Sequence, residues 1–134
     1  MTHCPICNNT LERNSFERTM KYKNKKITIF INGNYCNDCN EGFHTYKEHQ
    51  KIARDILLAK RKVDDLLKPD DIKRIRKKVK LTQKKASALL GGGINAFSKY
   101  ENAKITQPRA TDLLLRLLDQ KKVTLEDLEQ LKTG

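Results

Sequence analysis

The sequence has no tryptophan, only three prolines, and no cysteine after position 39 of its 134 residues. Aromatics make up 6%, hydrophobic residues 37% and charged residues 33%. Such a composition excludes one thick interior and predicts modest cores beneath large solvated surfaces, in one medium domain or two small ones. No apolar run approaches the roughly 20 residues of a membrane span, and no charged-then-apolar leader is evident. The expected setting is the cytoplasm, with no membrane association. Hydrolytic triads, paired acidic sites, phosphate-binding glycine loops and open metal positions are also missing, so an enzyme is not expected. There are no long repeats and no low-complexity tracts.

Positive charge, in contrast, is plentiful. Twenty-eight Lys/Arg against sixteen Asp/Glu give a formal net charge of +12. A field of that sign attracts phosphate polymers and anionic surfaces. Residues 1–68 carry 13 basic against 8 acidic residues, and residues 69–134 carry 15 against 8. Nearly all of the second excess lies before residue 110. The basic stretch KRIRKKVK (73–80) reads first as a solvated helix face, with one or two members in reach of a phosphate.

The hydrophobic period changes along the chain. Phe16, Met20 and Tyr22 suit one strand, and Ile27, Ile29 and Ile31 share one face of the next. The Asn24 region is the expected hairpin tip, and Asn32-Gly33-Asn34 a second turn. From about Lys47 to Leu67 the period becomes helical, through Ile52, Ile56, Ala59 and Val63. Lys68-Pro69 ends that helix, and Pro69 opens the next with Asp70 and Asp71 in its first turn. The expected boundary therefore lies near residue 68, between a domain at 1–68 and one at 69–134. In the second, Ile72, Ile75 and Val79 stripe one helix. Thr82 caps another, with Ala86, Leu89 and Leu90 inward. Further helices are expected from Ile94 to about Asn102, along ATDLLLRLLDQ, and from the Thr124 cap. The fold class is α+β in two domains, a small β domain followed by an all-α one.

Cys4-Pro5-Ile6-Cys7 and Cys36-Asn37-Asp38-Cys39 form two C-x-x-C pairs. Each places two sulfurs on one tight turn, half of a tetrahedral site, and zinc favours four thiolates in closed structural centres. Asn8 and Asn40 follow each pair, where the left-handed backbone of such turns suits Asn. The expected cofactor is one structural Zn2+ held by Cys4, Cys7, Cys36 and Cys39. Two disulfides, a redox pair, an iron–sulfur cluster and a labile sensing metal are the competing readings. His3, His44 and His49 read as surface residues rather than ligands. A hairpin sheet of this size buries too little apolar surface to stand alone, which makes metal the natural staple. This half resembles a zinc ribbon.

Gly91-Gly92-Gly93 then separate two short helices. Gly91 suits the left-handed end of the first, and Gly92 and Gly93 permit close backbone approach. Beyond them Ile94, Phe97 and Glu101 fall on one side, and Asn95, Ser98, Lys99 and Asn102 on another. An exposed Asn and Lys one turn apart suit the major groove. Asn pairs with adenine N6 and N7, and Lys donates to guanine O6 or N7. An ordinary polar helix face is the alternative.

The segment LTQKKASALLGGGINAFSKYENAKITQP resembles the lambda-repressor-like (Xre-type) helix-turn-helix, through Leu81-Thr82-Gln83, Ala86, Gly91, Ser98, Glu101 and Pro108. That resemblance implies a phosphate-backbone role for Gln83, with Lys84, Lys80, Lys104 and Ser98 as further backbone contacts. Ala103 stands where that family usually has glycine. With the Cys4 half in front, and with GGGINAFSKYE and LLLRLLD behind, the chain looks like the MqsA antitoxin family. The resemblance implies a zinc domain that binds a RelE-like ribonuclease toxin. It further implies a C-terminal homodimer that represses its operon at a palindromic double-stranded operator. The family's base-reading Asn and Arg map onto Asn95 and Lys99, and Lys lacks the planar fork of Arg. A stand-alone Xre-family regulator, with a structural or sensing zinc and no toxin, is the alternative.

Overall fold

The computed structural model describes residues 2–132. The chain divides into two compact units, Met1–Lys60 and Arg61–Gly134. The first carries a three-stranded antiparallel sheet and the second is helical, an α+β architecture. The division falls inside helix α1 (Tyr46–Val63), before the expected boundary near 68. The reason is Arg61, whose side chain is buried among the C-terminal helices.

In the first unit, β1 (Glu12–Tyr22) and β2 (Lys25–Cys36) form a long hairpin. Lys23 and Asn24 at its tip both have positive φ, 46° and 64°. Two such residues in a row match the strand twist, so the hairpin closes where Asn24 was expected to close it. Phe16, Arg18 and Met20 stand opposite Ile31, Ile29 and Ile27, and the three isoleucines are buried. Asn32-Gly33-Asn34 is not a turn: β2 runs straight through it and Gly33 pairs with Asn14. The glycine serves His44 instead. A Cβ at Gly33 would lie 2.6 Å from the His44 ring, whose Nδ1 donates to Asn32 O at 2.8 Å. After β3 (Glu41–Phe43), α1 starts with a reciprocal cap between Thr45 and Glu48.

The second unit packs α2 (Pro69–Lys78), α3 (Gln83–Leu90), α4 (Ala96–Glu101), α5 (Arg109–Asp119) and α6 (Leu125–Gln130). Its core joins Ile72 and Ile75 of α2, Ala86 and Leu90 of α3, Phe97 and Tyr100 of α4, and Leu115 and Leu118 of α5. Thr82 accepts from Lys85 N–H at the start of α3, and Thr124 forms a capping box with Asp127 at α6. Four helices, α1, α2, α4 and α5, end on a left-handed residue that is not glycine. These are Asp65, Lys80, Ala103 and Lys121, with φ of 53° to 61°. In each case the next residue's N–H reaches back to close the last turn, as Leu81 N does to Arg76 O at 3.0 Å.

Buried polar groups tie these short helices together. Asp112, fully buried, accepts from Leu67 N–H at 2.8 Å, Gln107 Nε2 at 3.0 Å and Arg116 Nε at 2.8 Å. Arg61 Nη2 donates to Ile105 O at 3.2 Å and Tyr100 O at 3.5 Å, where α4 exposes its carbonyl end. At the surface, Arg74 and Lys78 of α2 both bond Asp119 at the end of α5. Hydrogen bonding from Arg74, then from Lys78, holds the Asp119 carboxyl down at about 2, against an ordinary 3.8. A carboxylate depressed in the folded state stabilises above its unfolded value and loses that contribution as pH falls through the folded one. Asp119→Asn is therefore expected to flatten the fall in melting temperature as pH drops from 3.8 toward 2. Acid melts of the two proteins check it, and parallel curves would reject it.

Candidate metal centre and nucleic-acid interface

Both C-x-x-C turns are held in shape by their own backbone. His3 and Thr10 pair across the first, and Cys36 pairs with Glu41 across the second. Ile6 N–H points at Cys4 Sγ and Cys39 N–H at Cys36 Sγ, each at 3.4 Å. Asn8 and Asn40 have φ of 61° and 55°, the left-handed geometry expected after each pair. An Asn9–Asp38 side-chain hydrogen bond links the two turns. Cys4 and Cys36 are buried with Leu11, and Cys39 and Phe43 pack against them.

The four sulfurs lie within 4.8 Å of one another, with Cys7–Cys36 at 3.4 Å and Cys4–Cys39 at 4.0 Å. A tetrahedral ion with metal–sulfur bonds of about 2.3 Å requires sulfurs about 3.8 Å apart, so the donor set fits. All four are free thiols, none joined in a disulfide. Burial opposes ionisation of Cys4, yet the backbone N–H groups of Cys7 and Ile6 draw it down to about 7. Hydrogen bonding with Cys7, then burial, pushes Cys39 up to about 12. Four crowded thiols cannot all ionise by themselves, and a divalent cation at their centre removes that conflict. No histidine joins the group. His3 bonds Thr2, His44 bonds Asn32 O, and His49 stacks edge-on against His44.

In the second unit, α3 and α4 form a helix-turn-helix. Gly91 ends α3 with φ 89° and ψ 178°, an extended positive-φ conformation rather than the left-handed helical one expected, and one almost confined to glycine. Gly92 allows close approach to α4: a Cβ there would sit 2.5 Å from Tyr100 Oη and 2.8 Å from Ala96 Cβ. The second helix begins at Ala96, two residues later than expected, because Asn95 is left-handed with φ 65°. Ile94 is consequently not on the inner side with Phe97; it is 91% exposed.

An open groove between the two helices collects Gln83, Lys84, Ile94, Asn95 and Ser98. Asn95 makes no capping bond with its side chain, so its carboxamide can both donate and accept. Lys99 is exposed on α4 but does not line the groove, and Asn102 bonds back to Ser98 O at 2.8 Å. Lys80 and Lys104 are exposed at the left-handed turns that end α2 and follow α4, outside the groove.

Two supports of this face escaped the sequence reading. Ser87 of α3 accepts from Phe97 N–H at 3.2 Å, so α3 supplies the cap that α4 lacks. Arg76 is buried rather than solvated: its Nε and Nη2 grip both oxygens of Glu101 at 2.9 Å, and its Nη1 bonds Leu81 O. Neither had a local signal, since Phe97 lies ten residues from Ser87 and Glu101 twenty-five from Arg76. Of the rest of the basic stretch, Arg74 and Lys78 are engaged with Asp119.

Among the described residues no helix is long and apolar enough to cross a membrane. Residues 2–129 match the family described as "Antitoxin component of bacterial toxin-antitoxin system, MqsA". The chain is also 33% identical over 129 residues to a protein of Escherichia coli (strain K12) named "Antitoxin MqsA", covering 93% of this chain and 98% of that one.

Proposed function

Because the chain belongs to the MqsA antitoxin family, we propose that it neutralises a ribonuclease toxin of RelE-like fold and represses its own operon. The N-terminal unit is the toxin-binding zinc domain in this reading, and the C-terminal unit the DNA-binding domain. The observation that carries the DNA half is the groove where Gln83, Lys84, Asn95 and Ser98 converge on a scaffold fixed by buried contacts.

Asn95 and Lys99 read base edges, while Gln83, Lys84, Ser98, Lys80 and Lys104 contact the phosphate backbone and set register. Two copies paired through the C-terminal domain place two α4 helices about 34 Å apart on a palindromic double-stranded operator. Leu115 and Leu118 belong to the core, and Leu113, half exposed, remains for a partner. The protein works in the cytoplasm and has no catalytic role. Zinc, when bound to Cys4, Cys7, Cys36 and Cys39, supplies structure alone, since four thiolates leave no coordination position for a substrate. Toxin is blocked by coverage, without chemistry.

Asn95 does two things at once, which shapes the test. Alanine would remove the base contact and add the left-handed strain that Asn tolerates; glycine removes the contact alone. Asn95→Gly is expected to weaken binding to the chain's own promoter by about 1–3 kcal/mol and to leave binding to unrelated duplex unchanged. Titrations on both duplexes at one salt concentration check it. Equal affinity of the variant and wild type for the promoter would remove Asn95 from the reading face.

A further inference from the structure

We propose that Ile94 determines specificity by packing against the 5-methyl group of a thymine in the major groove, an inference that rests on the DNA-binding reading above. Ile94 is the most exposed large hydrophobic residue described, at 91%, whereas Ile72 and Ile75 of the same unit are fully buried. A single exposed aliphatic residue is ordinary on a protein surface. This one is distinguished by its neighbours: it lines the groove with Gln83, Lys84, Asn95 and Ser98, among them a Lys that suits phosphate and an Asn that suits a base.

The local backbone holds it outward. Gly93, at φ 85°, presents no side chain and has open space where a Cβ would be. Asn95, left-handed, turns the chain into α4 only after Ile94 has passed. The branched Cβ restricts the side chain to few rotamers, so little freedom is lost when it is covered. The partner follows from chemistry. The chain's net charge of +12, with Lys84 at the groove, favours nucleic acid, and on the major-groove edges of the four bases the thymine methyl is the apolar substituent. An isoleucine beside a base-reading Asn would recognise an adenine and a neighbouring thymine together.

The test uses the full-length, zinc-loaded protein and a duplex of its own promoter, prepared with thymidine or with deoxyuridine throughout. Wild type is expected to lose about fourfold or more in affinity on the uracil duplex, the worth of one buried methyl group. Ile94→Ala should bind the thymidine duplex correspondingly less well and lose nothing more on uracil. Ile94→Val, which keeps a branched methyl surface, should retain the discrimination. Equal losses on uracil for wild type and Ile94→Ala would overturn the inference while sparing the DNA-binding reading. If wild type binds neither duplex better than unrelated DNA, that reading fails and this one falls with it. Because the side chain is exposed, unchanged melting of Ile94→Ala is the expected control.

Discussion

Stripping metal from the full-length protein with a chelator should unfold the N-terminal unit and leave the C-terminal helices folded. Around the cysteines the buried cluster is Cys4, Leu11 and Cys36, with Cys39 and Phe43 packed against it. Most of these residues are the proposed ligands themselves. Without an ion, the cluster is three of the four competing thiols with one leucine and one phenylalanine. The isoleucine row of β2 remains, but a small hairpin sheet buries too little apolar surface to persist alone. Zinc in small finger peptides contributes on the order of 10–16 kcal/mol, comparable to the whole stability of an ordinary domain. Hydrogen exchange resolves the two units. Protection of the β2 amides should vanish on chelation and return with zinc, while the amides of α2 and α5 keep theirs. Full protection of β2 in metal-free protein would overturn the structural role of the metal.

Breaking the Arg76–Glu101 pair should have the second largest effect. The two side chains are 10% and 4% exposed and meet through two bonds of 2.9 Å, and Arg76 also holds Leu81 O. Removing one partner strands a charge away from water, which typically costs 3–5 kcal/mol. Glu101→Ala is therefore expected to lower stability by about that amount in urea titration. Arg76→Ala should do the same, and the double substitution should cost less than the two singles together. Arg76→Lys should rescue little, since an ammonium cannot grip both oxygens while bonding a carbonyl. The pair joins α2 to the end of α4, so near the melting midpoint these variants should also bind DNA less well. A cost below about 1 kcal/mol would mean the pair is as well screened as a surface one.

What could be read in advance was local. The Asn after each C-x-x-C, the Asn24 hairpin tip, Pro69 at the start of α2 and the Thr82 and Thr124 caps each act within a few residues, and the fold places them accordingly. The cysteines needed only spacing and the chemistry of thiolates. What stayed hidden depended on partners distant in sequence. Arg76 looked like solvated charge because Glu101 lies 25 residues away, and nothing local singled out Arg61, whose partner Ile105 O lies 44 residues away. Gly33 looked like a turn because nothing nearby announces the His44 ring above it. Ile94 was placed inside by extending a helical period two residues too early, across an Asn whose positive φ leaves no mark in that pattern. The division before Arg61 was missed for the same reason as Arg61 itself.

The helix endings bear on how this protein could be hardened against heat. A side chain with a Cβ in the left-handed basin costs roughly 1–2 kcal/mol that glycine would not. Position 121 therefore offers room for a tougher molecule at little sacrifice. Position 80 does not: a glycine there would relax the bend between α2 and α3 but delete a cation proposed above to contact phosphate. On the proposed DNA-binding reading, thermal robustness and grip on nucleic acid are opposed at that corner, and the lysine marks which of the two the molecule keeps.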